Sequence, residues 1–517
     1  MRPAEKPTVL LNAHVVTMDE KRPRAEAIAF LKGRIICVGN ERAVRAKASS
    51  GAKVLDAGGH IVLPGFIDCH THFISMGVWG NRLDLSGTAS LDDVAGAVKK
   101  KAALLRPGEW VLGRGWDEAK WKDGRYLDRR DLDPVSPDNP VMLIRVCGHM
   151  AALNGRGLAL LAGKMGSRCV DRRSGLITEG ALERARHHLR PSPEELAAGL
   201  ERSLRLARRL GVTSVHDIID IPKLRAYEAA RCDGSLTVRA CLHFEQREFS
   251  ELLSIGLYSG WGGALVRVGG IKLYADGSFG ARTAALKESY SDSAGNRGEL
   301  LLDDGQLKRT IRNAEAHGIQ LLIHAIGDRA VGQVVSAFSS ALRGPSRLRH
   351  RIEHLELAGR PQLARMRKLG LWACMQPNFV GEWGWPGGMM DARLGKRYEE
   401  ADAFRRVSDA GVPLIFGSDC MPFSPLYGIS SAVNAPFPAQ RISVEQSIAC
   451  YTSRAASSSF EEDLKGSLSV GKAADMVVLS DDPFRRPSTI GELRVDATIF
   501  DGRVIWRRPG VIRTSRH

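Results

Sequence analysis

The 517-residue chain lacks any uninterrupted apolar run of the roughly 18–20 residues that a membrane helix needs. Its N-terminus has only a short apolar patch, Val9–Leu11, broken at once by Asn12 and His14. That is too short for the core of a signal peptide, so secretion is not expected. There is no C-x-x-C pair, and the nine cysteines (37, 69, 147, 169, 232, 241, 374, 420 and 450) are scattered and odd in number. A zinc ribbon, a thioredoxin-type dithiol and a disulfide-stapled scaffold are therefore excluded. Reduced thiols in a reducing compartment fit better, which predicts a cytoplasmic protein without a membrane partner.

Acidic residues are in deficit: 74 Lys and Arg face 58 Asp and Glu, a net charge of +16. Such a balance can mark a nucleic-acid partner. The densest basic pieces, Arg172-Arg173, Arg184–Arg190 and Arg360–Lys368, alternate with acids or apolar residues and read as solvated helix faces. No nucleic acid is expected, and the natural partner is a small-molecule substrate. A homodimer is the default assembly.

Two regions of short β-rich runs bracket a long middle. Val9–Leu11, Ala27–Leu31 and Gly33–Gly39 near the start match Ala474–Ser480 and Ala497–Trp506 near the end. Each half is too small for a sandwich, and together they predict one small β domain built from residues 1–60 and 461–517. Between them, eight runs read as strands alternating with helical segments: Ile61–Asp68, Val212–Ile218, Val238–Phe244, Gly269–Ala275, Gln320–Ala325, Arg351–Leu357, Leu371–Gln376 and Pro413–Gly417. This is an α/β pattern and predicts a closed (β/α)8 TIM-like barrel over 61–460. About 140 residues separate the first two strands, too many for a bare loop. They predict an inserted subdomain over 80–205.

Candidate ligands end several of these strands. In His70-x-His72 alternate residues of a strand point the same way, so both imidazoles can face one metal. Lys272 interrupts the apolar run Gly270–Gly277; a buried ammonium is costly, so it is either paired with an acid such as Asp276 or carbamylated into an anionic ligand. His324, His354 and Asp419 fall at the ends of the fifth, sixth and eighth strands. Barrel active sites form at that end.

These residues, in this order, resemble the amidohydrolase superfamily of metal-dependent hydrolases. Within it the chain is most similar to amidohydrolase family 3, the group of YtcJ-like proteins and N-substituted formamide deformylases. Matching segments include Pro64–His72, Gly113–Asp117 with Trp121, Gly148-His149 with Asn154, and Lys272–Ser278. Others are Arg282–Ala285, His324–Ala330, Arg351–His354, Gly417–Asp419 and Gly471–Asp475. One departure is Cys420-Met421-Pro422, where a small residue and Pro are expected directly after the aspartate.

The resemblance implies water attack on an amide-type C–N bond with one or two divalent transition metals per chain, zinc first, then iron, manganese or nickel. It also implies metal ligation by His70, His72, Lys272, His324 and His354, and a proton-transfer role for Asp419. With a single metal, His324 or His354 becomes free to stabilise an oxyanion. A cyclic amide or ester substrate, or a non-catalytic regulatory or binding role, are the alternatives. Four further residues are candidates for substrate binding, each with a purely structural alternative. His149 matches the family's Gly-His. Trp116 lines an apolar pocket or belongs to the insertion's core. His216 ends the second strand and points to the pocket mouth. Arg282 clamps a carboxylate or forms a salt bridge. Cys69 points away from the metal by strand alternation.

Overall fold

The computed structural model describes residues 6–48, 51–118, 121–122, 124–146, 150–166 and 169–516. The chain divides into two compact units, residues 1–73 with 203–517, and residues 74–202.

Eight strands of the first unit form one sheet in sequence order: β1 (Phe66–Thr71), β2 (Val212–Ile219), β3 (Arg239–Glu245), β4 (Val266–Tyr274), β5 (Gln320–Ala325), β6 (Arg351–His354), β7 (Trp372–Met375) and β8 (Leu414–Phe416). Every neighbouring pair is parallel. Strands β1 and β6 are buried along their whole length, as both faces of a parallel sheet under helices must be. The seam between β8 and β1 is bridged by the Asp419 N–H donating to His70 O at 2.8 Å. A side chain at Gly417 would meet His70 N at 2.4 Å, so only glycine permits the two strand ends to approach.

The helices between strands follow from the sequence. Asp303 caps Asp304–Ala316 by accepting from Gln306 N, and Leu307, Ile311 and Ala314 of that helix turn inward at helical spacing. Pro361 opens Arg360–Leu369, and Gly370, at φ 70°, closes it in the left-handed conformation.

The run Ile61–Asp68 is not one strand. It divides at Gly65, whose N–H donates to Asp475 O. Ile61–Pro64 pairs with Met476–Leu479 in a terminal sheet, and the barrel strand starts only at Phe66. That six-stranded sheet runs Arg503–Arg507, Val495–Phe500, Met476–Leu479, Ile61–Pro64, His14–Val16, Arg24–Ala25. A five-stranded sheet joins Arg513–Arg516 and Lys53–Asp56 to Thr8–Leu11, Ala27–Leu31 and Arg34–Gly39. Leu10, Ile28 and Phe30 of one sheet share a core with Val62, Met476 and Ile499 of the other. Arg239 on β3 ties this layer to the barrel with a two-pronged pair to Asp475, at 2.7 and 3.1 Å.

The unit of residues 74–202 has its own six-stranded sheet, with Met150–Leu153 and Val141–Arg145 at its centre. Helix Leu91–Ala102, capped by Ser90, packs Val94 and Val98 with Val111 and Leu143 in one core cluster. Among the described residues no helix is long and apolar enough to cross a membrane.

Candidate metal centre

The C-terminal ends of the barrel strands bring four histidines and a carboxylate together. His70 lies near the end of β1 and His72 just beyond it, their rings 6.0 Å apart. Asp419 follows β8 and faces both, its Oδ1 at 3.8 Å from His70 Nε2 and 3.4 Å from His72 Nε2. The three ligand atoms lie within 4.8 Å of one another. His354, at the end of β6, stands 4.9 Å from the His70 ring and 4.4 Å from the His324 ring, centre to centre.

Local backbone conformation helps to place these groups. Strand alternation would send Glu353 and His354 to opposite faces. His354 has φ 69° and Leu355 φ 51°, which breaks the pleat and ends β6 before the expected Leu357. Asp419 and Cys420, at φ 50° and 62°, break the chain after β8 in the same way. Positive φ in ordinary residues costs about 1–3 kcal/mol each, and its concentration here marks a site under functional constraint.

The protonation pattern suits a cation. His70 Nδ1–H donates to Glu353 Oε2, which leaves the Nε2 lone pair turned to Asp419. His324 Nε2–H donates to Gly277 O at 2.9 Å, which leaves Nδ1 free to ligate. His354 Nδ1 and Lys272 Nζ are buried without a hydrogen-bond partner among the described residues. Burial, reinforced by Lys272, lowers the pKa of both His70 and His324, the latter to about 3. Burial lowers Lys272 too, against the opposing pull of Glu353 and Asp419. Lys272 is not paired with Asp276. That carboxylate accepts three backbone N–H groups instead, from Ala285, Ile326 and Gly327 at 2.8–3.0 Å, and so fastens the loops after β4 and β5.

Glu353, Arg351 and Asp68 have no role in the sequence reading. Arg351 and Glu353 alternate inward on β6 and are fully buried. Arg351 Nε donates to Glu353 Oε1 at 2.7 Å, and Nη2 to Glu353 Oε2 at 3.1 Å. Burial alone would raise the Glu353 pKa, but Arg351 and His70 outweigh it and hold the carboxylate well below its usual range. An ionised Glu353 thus fixes the His70 ring and its tautomer. Asp68 Oδ1 accepts from Ser418 N at 2.9 Å, a second tie between β1 and the segment carrying Asp419. The Arg-x-Glu spacing was the available signal, since two charges on one face of a buried strand require each other.

The four candidates for substrate binding fare differently. Trp116 is fully buried in the core of residues 74–202, stacked on Trp121 with centroids 5.8 Å apart, and its indole N–H donates to Leu143 O. It is a core residue of that unit. His216 does not end its strand: β2 continues to Ile219, which leaves His216 fully buried inside the barrel, where Nδ1 accepts from Arg351 at 3.0 Å. Arg282 forms a two-pronged pair with Asp292, at 3.0 and 2.9 Å, and is committed to that salt bridge. His149 lies outside the described residues. Cys69 is buried, and burial raises its thiol pKa, consistent with an inert side chain.

The amidohydrolase family model matches residues 53–506. Over 96% of this chain and 98% of the relative, the sequence is 30% identical to YtcJ of Bacillus subtilis (strain 168). It is 27% identical to the N-substituted formamide deformylase of Arthrobacter pascens over 97% of this chain and 98% of that one. The crystal structure of an uncharacterized metal-dependent hydrolase from Pyrococcus furiosus superposes with a TM-score of 0.80 at 29% identity, covering 92% of this chain and all of the other. The strand-end histidines and the full-length similarity lead to one conclusion: the chain belongs to amidohydrolase family 3 and is a metal-dependent hydrolase of that family.

Proposed function

We propose that the chain hydrolyses a carbon–nitrogen amide-type bond in a small molecule, either a formamide or an N-acyl amine or amino acid. The observation that carries this reading is the convergence of His70, His72 and Asp419 beside two buried groups, Lys272 Nζ and His354 Nδ1, that have no hydrogen-bond partner among the described residues. The amide class is supported by similarity to a protein named N-substituted formamide deformylase.

The donor set fits a divalent transition metal: imidazoles with a lone pair free, a carboxylate between two of them, and a lysine whose charged form burial disfavours. His70, His72, Lys272, His324 and His354 would hold it, with zinc the first choice over iron, manganese or nickel. Lys272 would ligate as a carbamate. Its neutral amine adds to CO2, an N–C bond forms, one proton is released, and the orphaned nitrogen becomes the stem of an anionic oxygen ligand. A bound divalent metal supplies acidity to water and polarises the scissile carbonyl.

The remaining work falls to the protein. Asp419 accepts the proton of the attacking water and hands it to the departing nitrogen, a transfer typically worth about 10²–10⁴ in rate. Glu353 keeps His70 oriented throughout. The test is release of amine from a panel of formamides, N-acyl amines and N-acyl amino acids, using metal-reconstituted protein with bicarbonate. Turnover of a panel member, lost in Asp419→Asn with the metal retained, is the expected result. A fully metallated protein inert to every compound would overturn the substrate class.

A further inference from the structure

The basic stretch Arg360–Lys368 is more than a solvated helix face. Helix Arg360–Leu369, which follows β6, contains no acid at all. It lies beside helix Phe404–Asp409, which precedes β8, and the two enclose a cleft of about 650 Å³ on the outside of the barrel. Arg360, Arg367, Lys368, Arg405 and Arg406 line it against one acid, Asp409.

Ion pairs account for only two of these five cations. Arg405 faces Asp409 at 3.7 Å, and Arg406 pairs with Glu400. Arg360, Arg367 and Lys368 have no ion-pair partner among the described residues, so the cleft keeps three uncompensated positive charges. Like charges gathered in a concavity repel one another, and an anion relieves that repulsion. Arg367 reaches across the cleft: a Cβ on Gly411 would come within 3.1 Å of its Nε. Leu363, Ala410 and Pro438 add apolar lining.

We infer that this cleft binds an organic polyphosphate, a nucleoside di- or triphosphate being the chemical class that fits. Three free cations match the charge of a di- or triphosphate. The excess of Arg over Lys suits phosphate oxygens taken two at a time. The apolar part of the lining accepts a ring or base. The volume falls within the roughly 300–1,000 Å³ range of small-molecule sites. Arg360 and Arg367 are separated by seven residues, about 10 Å along the helix axis, so one ligand can touch both ends.

The experiment is calorimetric titration of the full-length protein at physiological salt with ATP, with inorganic tripolyphosphate and with orthophosphate. The variants are the double substitution Arg367→Ala/Lys368→Ala and, as a charge-matched control on the exposed surface of the other unit, Arg172→Ala/Arg173→Ala. ATP should bind more tightly than orthophosphate, and the Arg367/Lys368 variant should weaken it by roughly tenfold or more, with the control near the wild type. Equal weakening in both variants, or no ATP binding, would overturn the assignment. So would capture of the protein by anionic vesicles or a single-stranded oligonucleotide without ATP binding, since that points to an extended polyanion.

Discussion

Two of the groups of potential metal ligands among the described residues differ in what surrounds them, although both draw on histidine and carboxylate. At the strand ends, His70, His72 and Asp419 turn free acceptor atoms towards a common point. Deeper in the barrel, His216, Cys241 and Glu461 also bring ligand-type atoms within 4.8 Å. There, however, His216 Nδ1 already accepts from Arg351, so in the neutral ring Nε2 must carry the proton. Glu461 is neutralised by Lys465 at 2.8 Å and Arg267 at 3.5 Å, and burial pushes the Cys241 thiol up to about 12. The residue types in the two clusters are similar. Their partners decide the difference: a guanidinium below, a carboxylate behind His70 above.

Substitutions can break that contrast. The largest effect belongs to Asp419→Asn, which should keep fold and metal while lowering turnover by about 10²–10⁴. Full activity with metal unchanged would remove Asp419 from the mechanism. Next is Glu353→Gln. It leaves Arg351 without its counter-charge, at a cost of about 3–5 kcal/mol, and should lower metal affinity about 10–100-fold by freeing the His70 ring. Chemical denaturation and a metal-competition titration read the two effects separately. Unchanged metal affinity would mean that Glu353 serves the fold alone. His216→Gln retains an acceptor for Arg351 and should leave metal content as in the wild type. Smallest of all is Arg282→Ala, which removes a half-exposed ion pair worth about 0–1 kcal/mol. A large rise in KM there would restore Arg282 as a substrate clamp.

The barrel was legible because its strands are short apolar runs ended by turn residues, and the ligand set because chemistry at strand ends stands out against them. Depth was harder to read. Ile61–Asp68 looks continuous because a terminal-sheet strand and a barrel strand are equally apolar, and the break shows only in the fold, where Ile61–Pro64 pairs with Met476–Leu479 and Gly65 N–H donates to Asp475 O. His216 looked like a strand end because Asp217 beside it is charged. In the folded protein Asp217 is buried and accepts from Tyr227 Oη at 2.8 Å and from Phe73 N at 2.6 Å. The role of Glu353 is hidden because its partner His70 lies on a distant segment, and nothing in one strand's sequence names that imidazole as its donor. Trp116 illustrates the general ambiguity of aromatics, which serve cores and pockets with the same surface.

The most direct test of the central claim is metal per chain, measured by elemental mass spectrometry on wild type, His70→Ala and His216→Gln purified without chelators. About one or two transition-metal ions are expected in the wild type and in His216→Gln, and a clear loss in His70→Ala. Metal retained in His70→Ala but lost in His216→Gln would place the ion in the lower cluster and contradict that expectation.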